Sequence, residues 1–328
     1  MNDMATPTYD RTVEDLGNIV ELGHVNVTVP DQRLATIFYV SGLGLTRDPY
    51  LMSGLDNMWI NVGRAQFHLP ARAPQVVRGT TGLVISDTGA LLERLGRVRK
   101  DLAETKFSYR EGNDGVEVTC PWGNRIRCHA PDAERFGRIT LGMPYVECDI
   151  PQGTSLEGIA RFYREILGGI AGVAKDARGP HAWAILGDGN KITFRESAAE
   201  QPPYDGHHIQ ITLADFSGPH KKLLERGLIT EESDQHQYRF NDIVDVDTNK
   251  VLFTIEHEVR SMTHPLYARH LVNRNPSQTN RHYVMGGDEW VPTLPDGLGP
   301  MGPREDPLKA PKAPTIAKRR ALRAQAAM

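Results

Sequence analysis

The sequence predicts an α+β chain built from four βαβββ modules, and three observations carry that prediction. A Phe-Tyr pair, with Leu-Gly beginning five residues after the Phe, occurs as Phe38-Tyr39 to Leu43-Gly44 and again as Phe162-Tyr163 to Leu167-Gly168. Each copy follows an alternating strand that ends in Pro, at Pro30 and Pro151, so the chain has the look of a duplication. Between and after the two copies, strand, helix and turn-separated strands recur in the same order. Superposing the first strands matches His24, Thr80, Tyr145 and His208, at intervals of 56, 65 and 63 residues.

In the first module, GHVNVTVP alternates polar and apolar residues as a half-buried strand does, and DQRLATIFYVSGLG shows helical spacing at Leu34, Ile37 and Phe38 before closing on Gly44. Apolar runs over 57–62 and 65–69, separated by Gly63-Arg64, follow as a hairpin. The second module opens at Gly79 with TTGLVISD, continues through the helical ALLERLGRVRKDLA and returns as strands over 107–110, 116–119 and 125–129, with a turn at Trp122-Gly123-Asn124. The third runs from Pro144 through YVECDIP and LEGIARFYREILG to strands over 182–186 and 191–195, parted by the turn Gly187-Asp188-Gly189-Asn190. The fourth has HHIQITLAD, the helix SGPHKKLLERG with Asp215 at its start, and the strands QHQYRFNDI and VLFTIEHEV. After about Arg260 the pattern dissolves into a polar, then Pro- and Gly-rich stretch, and such composition buries little.

At 328 residues the chain is long enough for two domains with separate cores. A net charge of -3 gives no electrostatic case for nucleic acid or an acidic membrane surface. No window reaches the roughly 18 apolar residues of a membrane span, and the opening residues include acids but no apolar signal region. The three cysteines, Cys120, Cys128 and Cys148, show no C-x-x-C spacing, so neither a disulfide frame nor a thiolate zinc site is expected. A cytoplasmic protein is the expectation, with a small-molecule substrate as its partner, no nucleic acid and no membrane; assembly into a homo-oligomer is left open.

The module order, the two Phe-Tyr/Leu-Gly helix ends and the first-strand histidines resemble the vicinal oxygen chelate superfamily, which includes glyoxalase I, extradiol dioxygenases and bleomycin-resistance proteins. The resemblance covers residues 20–260. It implies that modules pair into half-closed β-sheet cups, arranged as in two-domain extradiol dioxygenases: an N-terminal arm at 1–19, a first domain of two modules at 20–135, a second at 136–262 and an extended, partly disordered tail at 263–328. It also implies a divalent metal in a cup, Fe(II) first and otherwise Mn, Ni or Zn, held by first-strand residues and a carboxylate near the last strand. Neutral imidazoles and a carboxylate on one face leave open positions for two adjacent substrate oxygens.

Carried onto this sequence, the pattern selects His208, Glu256 and Tyr145 as metal ligands. Tyr145 stands where a histidine belongs, so it serves either as third ligand or as acid/base; Glu147 on the same strand face or His236 in the adjacent strand is the alternative third ligand, and His236 is a second catalytic candidate. Alternation along VLFTIEHE places Leu252, Thr254, Glu256 and Glu258 on one face. Glu258 is expected as a solvated strand end and His207 as facing outward. A second-choice site comprises His24, His68 and His129, with Thr80 breaking the symmetry and Arg127 on the His129 face offering an anion-binding alternative. The segment with Arg260, His264, Tyr267, Arg269 and His270 either folds back as a lid carrying arginine or extends along the neighbouring domain. The functional expectation is a metal-dependent, extradiol-dioxygenase-like enzyme acting on a small aromatic or oxygen-rich substrate. The alternatives are a glyoxalase-like isomerase or lyase and a metal-free small-ligand binder.

Overall fold

Alternating strands with one apolar and one polar face need a cover on one side only, and the module helices supply it. The computed structural model describes residues 9–49, 56–269 and 271. Module 1 contains β1 (Ile19–Asn26), a helix over 32–42, β2 (Thr46–Arg47), β3 (Asn57–Val62) and β4 (Ala65–Pro70); module 2 contains β5 (Gly79–Val84), the helix Thr88–Val98, β6 (Ser108–Gly112), β7 (Gly115–Thr119) and β8 (Arg125–His129). Module 3 contains β9 (Gly142–Pro151), a helix over 156–166, β10 (Ala171–Asp176), β11 (Gly179–Ile185) and β12 (Lys191–Ser197); module 4 contains β13 (His208–Leu213), the helix Ser217–Glu225, β14 (Ile229–Asp234), β15 (Gln237–Val244) and β16 (Val251–Ser261). The four-module α+β expectation is met. Three strands escape the sequence pattern, β2, β10 and β14, and all are sheet-edge strands. β10 and β14 are mostly exposed, so neither shows an alternating apolar face.

The helices begin alike. A side-chain oxygen of Asp31, Asp87, Ser155 or Asp215 accepts a hydrogen bond from the backbone N–H three residues on, satisfying a donor the first turn leaves open. The Phe-Tyr helices also end alike, widening to i→i+5 hydrogen bonding at Leu43 N to Phe38 O and closing on Gly44 and Gly168 at φ +76° and +70°. That left-handed conformation suits glycine. The paired aromatic rings reach both sheets: Phe162 packs on Phe240 of β15, while Tyr163 packs on Phe194 of β12 and meets His257 Nε2 of β16 at 2.8 Å. The duplicated motif is therefore a core-packing device, and one continuous apolar core holds the two sheets and their helices together.

Strand pairing corrects the domain division. One sheet runs β14-β15-β16-β13-β1-β4-β3-β2 and the other β10-β11-β12-β9-β5-β8-β7-β6. Module 1 thus pairs with module 4, and module 2 with module 3, so neither the 20–135 nor the 136–262 unit is a cup of its own. The connection after β8 carries the chain from module 2 into module 3, and β5 and β9 bond antiparallel. β1 and β13 then need a neighbour, because both are buried and an unpaired edge would strand their backbone polar groups. They bond to each other. Most of the expected tail, from 272 onward and including His270, lies outside the described residues, as do residues 1–8 of the arm. Among the described residues no helix is long and apolar enough to cross a membrane.

Candidate metal centre

On the polar face of the sheet formed by modules 1 and 4, three imidazoles converge. His24 lies on β1, His68 on β4 and His208 on β13, and one ring nitrogen of each falls within 4.8 Å of the others. Ligand bonds of ~2.0–2.1 Å place opposite ligands ~4 Å apart, so the cluster is close to the diameter of a metal's coordination sphere. Register explains the convergence: Asn26 of β1 lies opposite both His68 and His208, and a register shift at Gly23 sets the position of His24. Such a bulge re-aims a side chain. Trp59 stacks on His68 with ring centroids 3.8 Å apart and meets His24 edge-on at 4.8 Å, holding both rings in place.

The hydrogen bonds leave lone pairs for a cation. His68 Nε2 lies 2.7 Å from Asn57 Oδ1, so a proton donated there leaves Nδ1 as the acceptor. His208 Nδ1 is 3.1 Å from Glu256 Oε1, while His208 Nε2 and His24 Nε2 are buried with no hydrogen-bond partner. Buried polar atoms are nearly always satisfied, so two orphaned nitrogens in one cluster mark a place for an ion. Burial, reinforced by nearby arginines and the other histidines, holds His24 and His68 well below the usual imidazole pKa. Both rings are therefore neutral at pH 7. The donor set fits a divalent metal of the kind that takes imidazole.

Glu256 sits beside His208 as the family pattern implies, and register pairs the two residues across β13 and β16. Burial alone would raise its pKa, but His208 and Arg239 together bring it below the ordinary carboxylate range. Arg239 of β15 bridges Glu256 and Glu258. Glu258 is not a solvated strand end: it is 3% exposed, bonds Arg260 at 2.7 Å and lies 3.6 Å from His208 Nε2. The lone arginine of QYRF carried no visible signal of this role in the sequence. His207 turns away from the cluster but is buried, with Nδ1 2.6 Å from Asp205.

The other candidates fall elsewhere. Tyr145 belongs to β9 in the second sheet, where its hydroxyl meets His129 Nε2 at 2.9 Å and burial pushes its pKa up to about 12. Neither Tyr145 nor His129 joins the three-histidine group. His236 occupies the β14–β15 turn, bonding Thr263 at 3.2 Å, and does not reach the cluster. The expected sets were therefore each a mixture of the two sheets, because they assumed that consecutive modules pair.

The second sheet repeats the scaffold without the histidines. Matching its register to the first puts Tyr145 at the place of His24, Thr80 at that of His208, Thr193 at that of His68 and Arg125 at that of Glu256. Glu147 takes the bidentate fork of Arg178 at 2.6 and 2.7 Å, and Asp149 pairs with Arg125. Gly82 lies under Tyr145, where an added Cβ would come within 2.3 Å of the ring.

The segment after β16 folds back over the first sheet rather than along the other. Arg269 reaches Asp48, which is 0% exposed, and Gln66 Oε1, and Gln66 lies opposite His24 in the β1–β4 register.

No protein-family model matches the sequence, and a search of curated proteins gives no match. Among solved structures, glyoxalase I from maize (Zea mays) is similar to this chain over 74% of its length and 92% of the maize chain, with a TM-score of 0.52 and 12% identity. This chain has the vicinal oxygen chelate fold. A Bacillus subtilis protein provisionally assigned as a dioxygenase is also similar, at TM-score 0.49 and 16% identity over 75% of this chain and 86% of that one. At such identities the likeness speaks for the fold alone.

Proposed function

We propose that the protein is a metal-dependent enzyme whose centre lies in the cup of modules 1 and 4, with His24, His68 and His208 holding a divalent ion and Glu256 set against His208. The observation that carries this reading is the convergence of three imidazoles, His24 and His208 buried and each with a ring nitrogen that makes no hydrogen bond. A bound divalent ion would supply Lewis acidity toward two adjacent oxygens of a small aromatic or oxygen-rich substrate. The chain's own residues do the rest. Trp59 and Asn57 fix the plane and tautomer of His68, Glu256 orients His208, and Arg239 keeps Glu256 ionised. Leu266, Tyr267 and Arg269 of the segment after β16 line a cavity on the His24 side of the cup.

Among reaction types, oxygen-dependent cleavage of the extradiol kind is favoured over glyoxalase-type proton transfer. Glyoxalase-type proton transfer needs a carboxylate free to act as base, and Glu256 is paired with Arg239. The test is metal analysis of the purified protein followed by oxygen uptake with a panel of catechols. One divalent ion per chain and oxygen consumption support the reading. Retained metal with isomerisation of an α-hydroxyacyl substrate and no oxygen demand would move the assignment to the glyoxalase class, and absence of any retained or rebound metal would leave a metal-free binder.

A further inference from the structure

Asn26 of β1 stands between two of the three histidines. His68 and His208 lie on the strands either side of it, each opposite Asn26 in register, so the three side chains share a face of the sheet. His24, two residues back along the same strand, shares that face too. At the usual spacing of strands, the backbones of His68 and His208 are roughly 9–10 Å apart. Their ring nitrogens nevertheless come within 4.8 Å of each other and of His24. The rings therefore lean together over Asn26, which is itself 4% exposed.

The Asn26 amide is oriented from outside this cluster. Gln75 Oε1 accepts the Thr28 N–H at 3.0 Å and Gln75 Nε2 donates to the Asp205 carbonyl at 2.9 Å, which fixes the Gln75 amide. Asn26 must then turn its Nδ2 to Gln75 Oε1, 3.4 Å away. That leaves Asn26 Oδ1 buried and without a hydrogen bond, an orphaned acceptor like His24 Nε2 and His208 Nε2. In the second sheet the matching place, between Thr193 and Thr80, belongs to Glu147, and Arg178 takes both of its oxygens. Among the described residues nothing takes the oxygen of Asn26.

Resting on the metal-centre reading above, we propose that Asn26 is a fourth ligand of the ion, its amide oxygen joining the three imidazoles. Carbonyl oxygens suit Mn(II), whereas imidazoles suit Zn, Cu, Fe and Ni, so this oxygen widens the site toward oxygen-preferring ions. Being neutral, it adds no negative charge to blunt the Lewis acidity of the ion.

Competition with a chelating dye, and NMR of isotope-labelled asparagine side-chain amides, test this on the full chain. Asn26→Ala should weaken Mn(II) by about tenfold or more, and Zn(II), which imidazoles and water hold well, by less than about threefold. In the wild type, saturating Zn(II) should shift the Asn26 amide resonance more than that of Asn57, which touches His68 from outside. Asn26→Asp keeps the oxygen and adds charge, so it should tighten Mn(II) by about tenfold, and it serves where the Ala variant does not fold. Unchanged Mn(II) affinity in Asn26→Ala, equal losses of both metals, or an Asn26 amide that Zn(II) leaves unmoved overturns the fourth ligand while the three-histidine centre stands. Uptake of neither ion by the wild type removes the metal centre, and the fourth ligand with it.

Discussion

The two cups are built to one plan, yet among the described residues only one gathers a group of side chains that could hold an ion. At four matched positions the first cup presents His24, His208, His68 and Glu256, and the second presents Tyr145, Thr80, Thr193 and Arg125. Arginines pair the carboxylates of both cups, Arg239 with Glu256 and Glu258 in the first and Arg178 and Arg125 with Glu147 and Asp149 in the second, but among the described residues only the first brings three histidines together. The lesson is that the scaffold delivers four inward positions and the side chains alone decide whether they serve an ion.

The sharpest way to break this contrast is to remove imidazoles from the first cup. His24→Ala and His208→Ala should each abolish the single bound equivalent, lowering divalent-metal affinity by about 100-fold or more, read by competition with a chelating dye. Retention of metal by both variants would show that the ion sits elsewhere. Asn57→Ala unlocks the His68 tautomer and should cost about 10–100-fold in the same assay, the usual effect of losing a group that orients a ligand.

Changes to the second cup should touch stability and leave metal uptake alone. Gly82→Ala puts a methyl group within 2.3 Å of the Tyr145 ring and should destabilise the fold by about 1–3 kcal/mol in urea melts. Tyr145→Phe, which deletes the hydrogen bond to His129, should cost about 1 kcal/mol with no change in metal stoichiometry. A loss of metal in either variant would mean that the cups are coupled.

The smallest effect concerns the cover of the first cup. Burial, with help from Arg260 and His236, lowers the pKa of His264 to about 3, and its Nδ1 accepts the Leu266 N–H. The folded form therefore binds its proton less readily than the unfolded chain. The stability this neutral ring contributes is complete above about pH 6.5 and declines as pH falls from there toward 3. A drop to pH 5.5 should cost up to about 1 kcal/mol, an amount absent from His264→Gln when the two melting curves are compared.

Much of this arrangement was legible from the residues. The Phe-Tyr/Leu-Gly repeat and the alternating first strands disclosed the modules, and superposing those strands singled out His24 and His208. The pairing of Glu256 with His208 was likewise visible, because both lie within one module and its register follows from local order. Which modules share a sheet was not legible, since that choice depends on contacts between residues 182 positions apart, such as Asn26 with His208. Placing Tyr145 beside His208, and His129 beside His24, was the direct result. Arg239 was illegible for another reason: a single arginine in a strand has no periodic signature, and its role arises only from the acids that folding brings to it.

The joining of first and last modules sets an order of events for a growing chain. The second sheet can close once β12 has been made, whereas β1 and β4 must wait for β13, more than 180 residues after β1, before His24 and His68 meet their third companion. Long-range closures of that kind are slow. An ion would thus be captured late in synthesis, by a chain already half assembled, and a product ending before His208 would contain a finished inert half and two histidines with nothing to complete them.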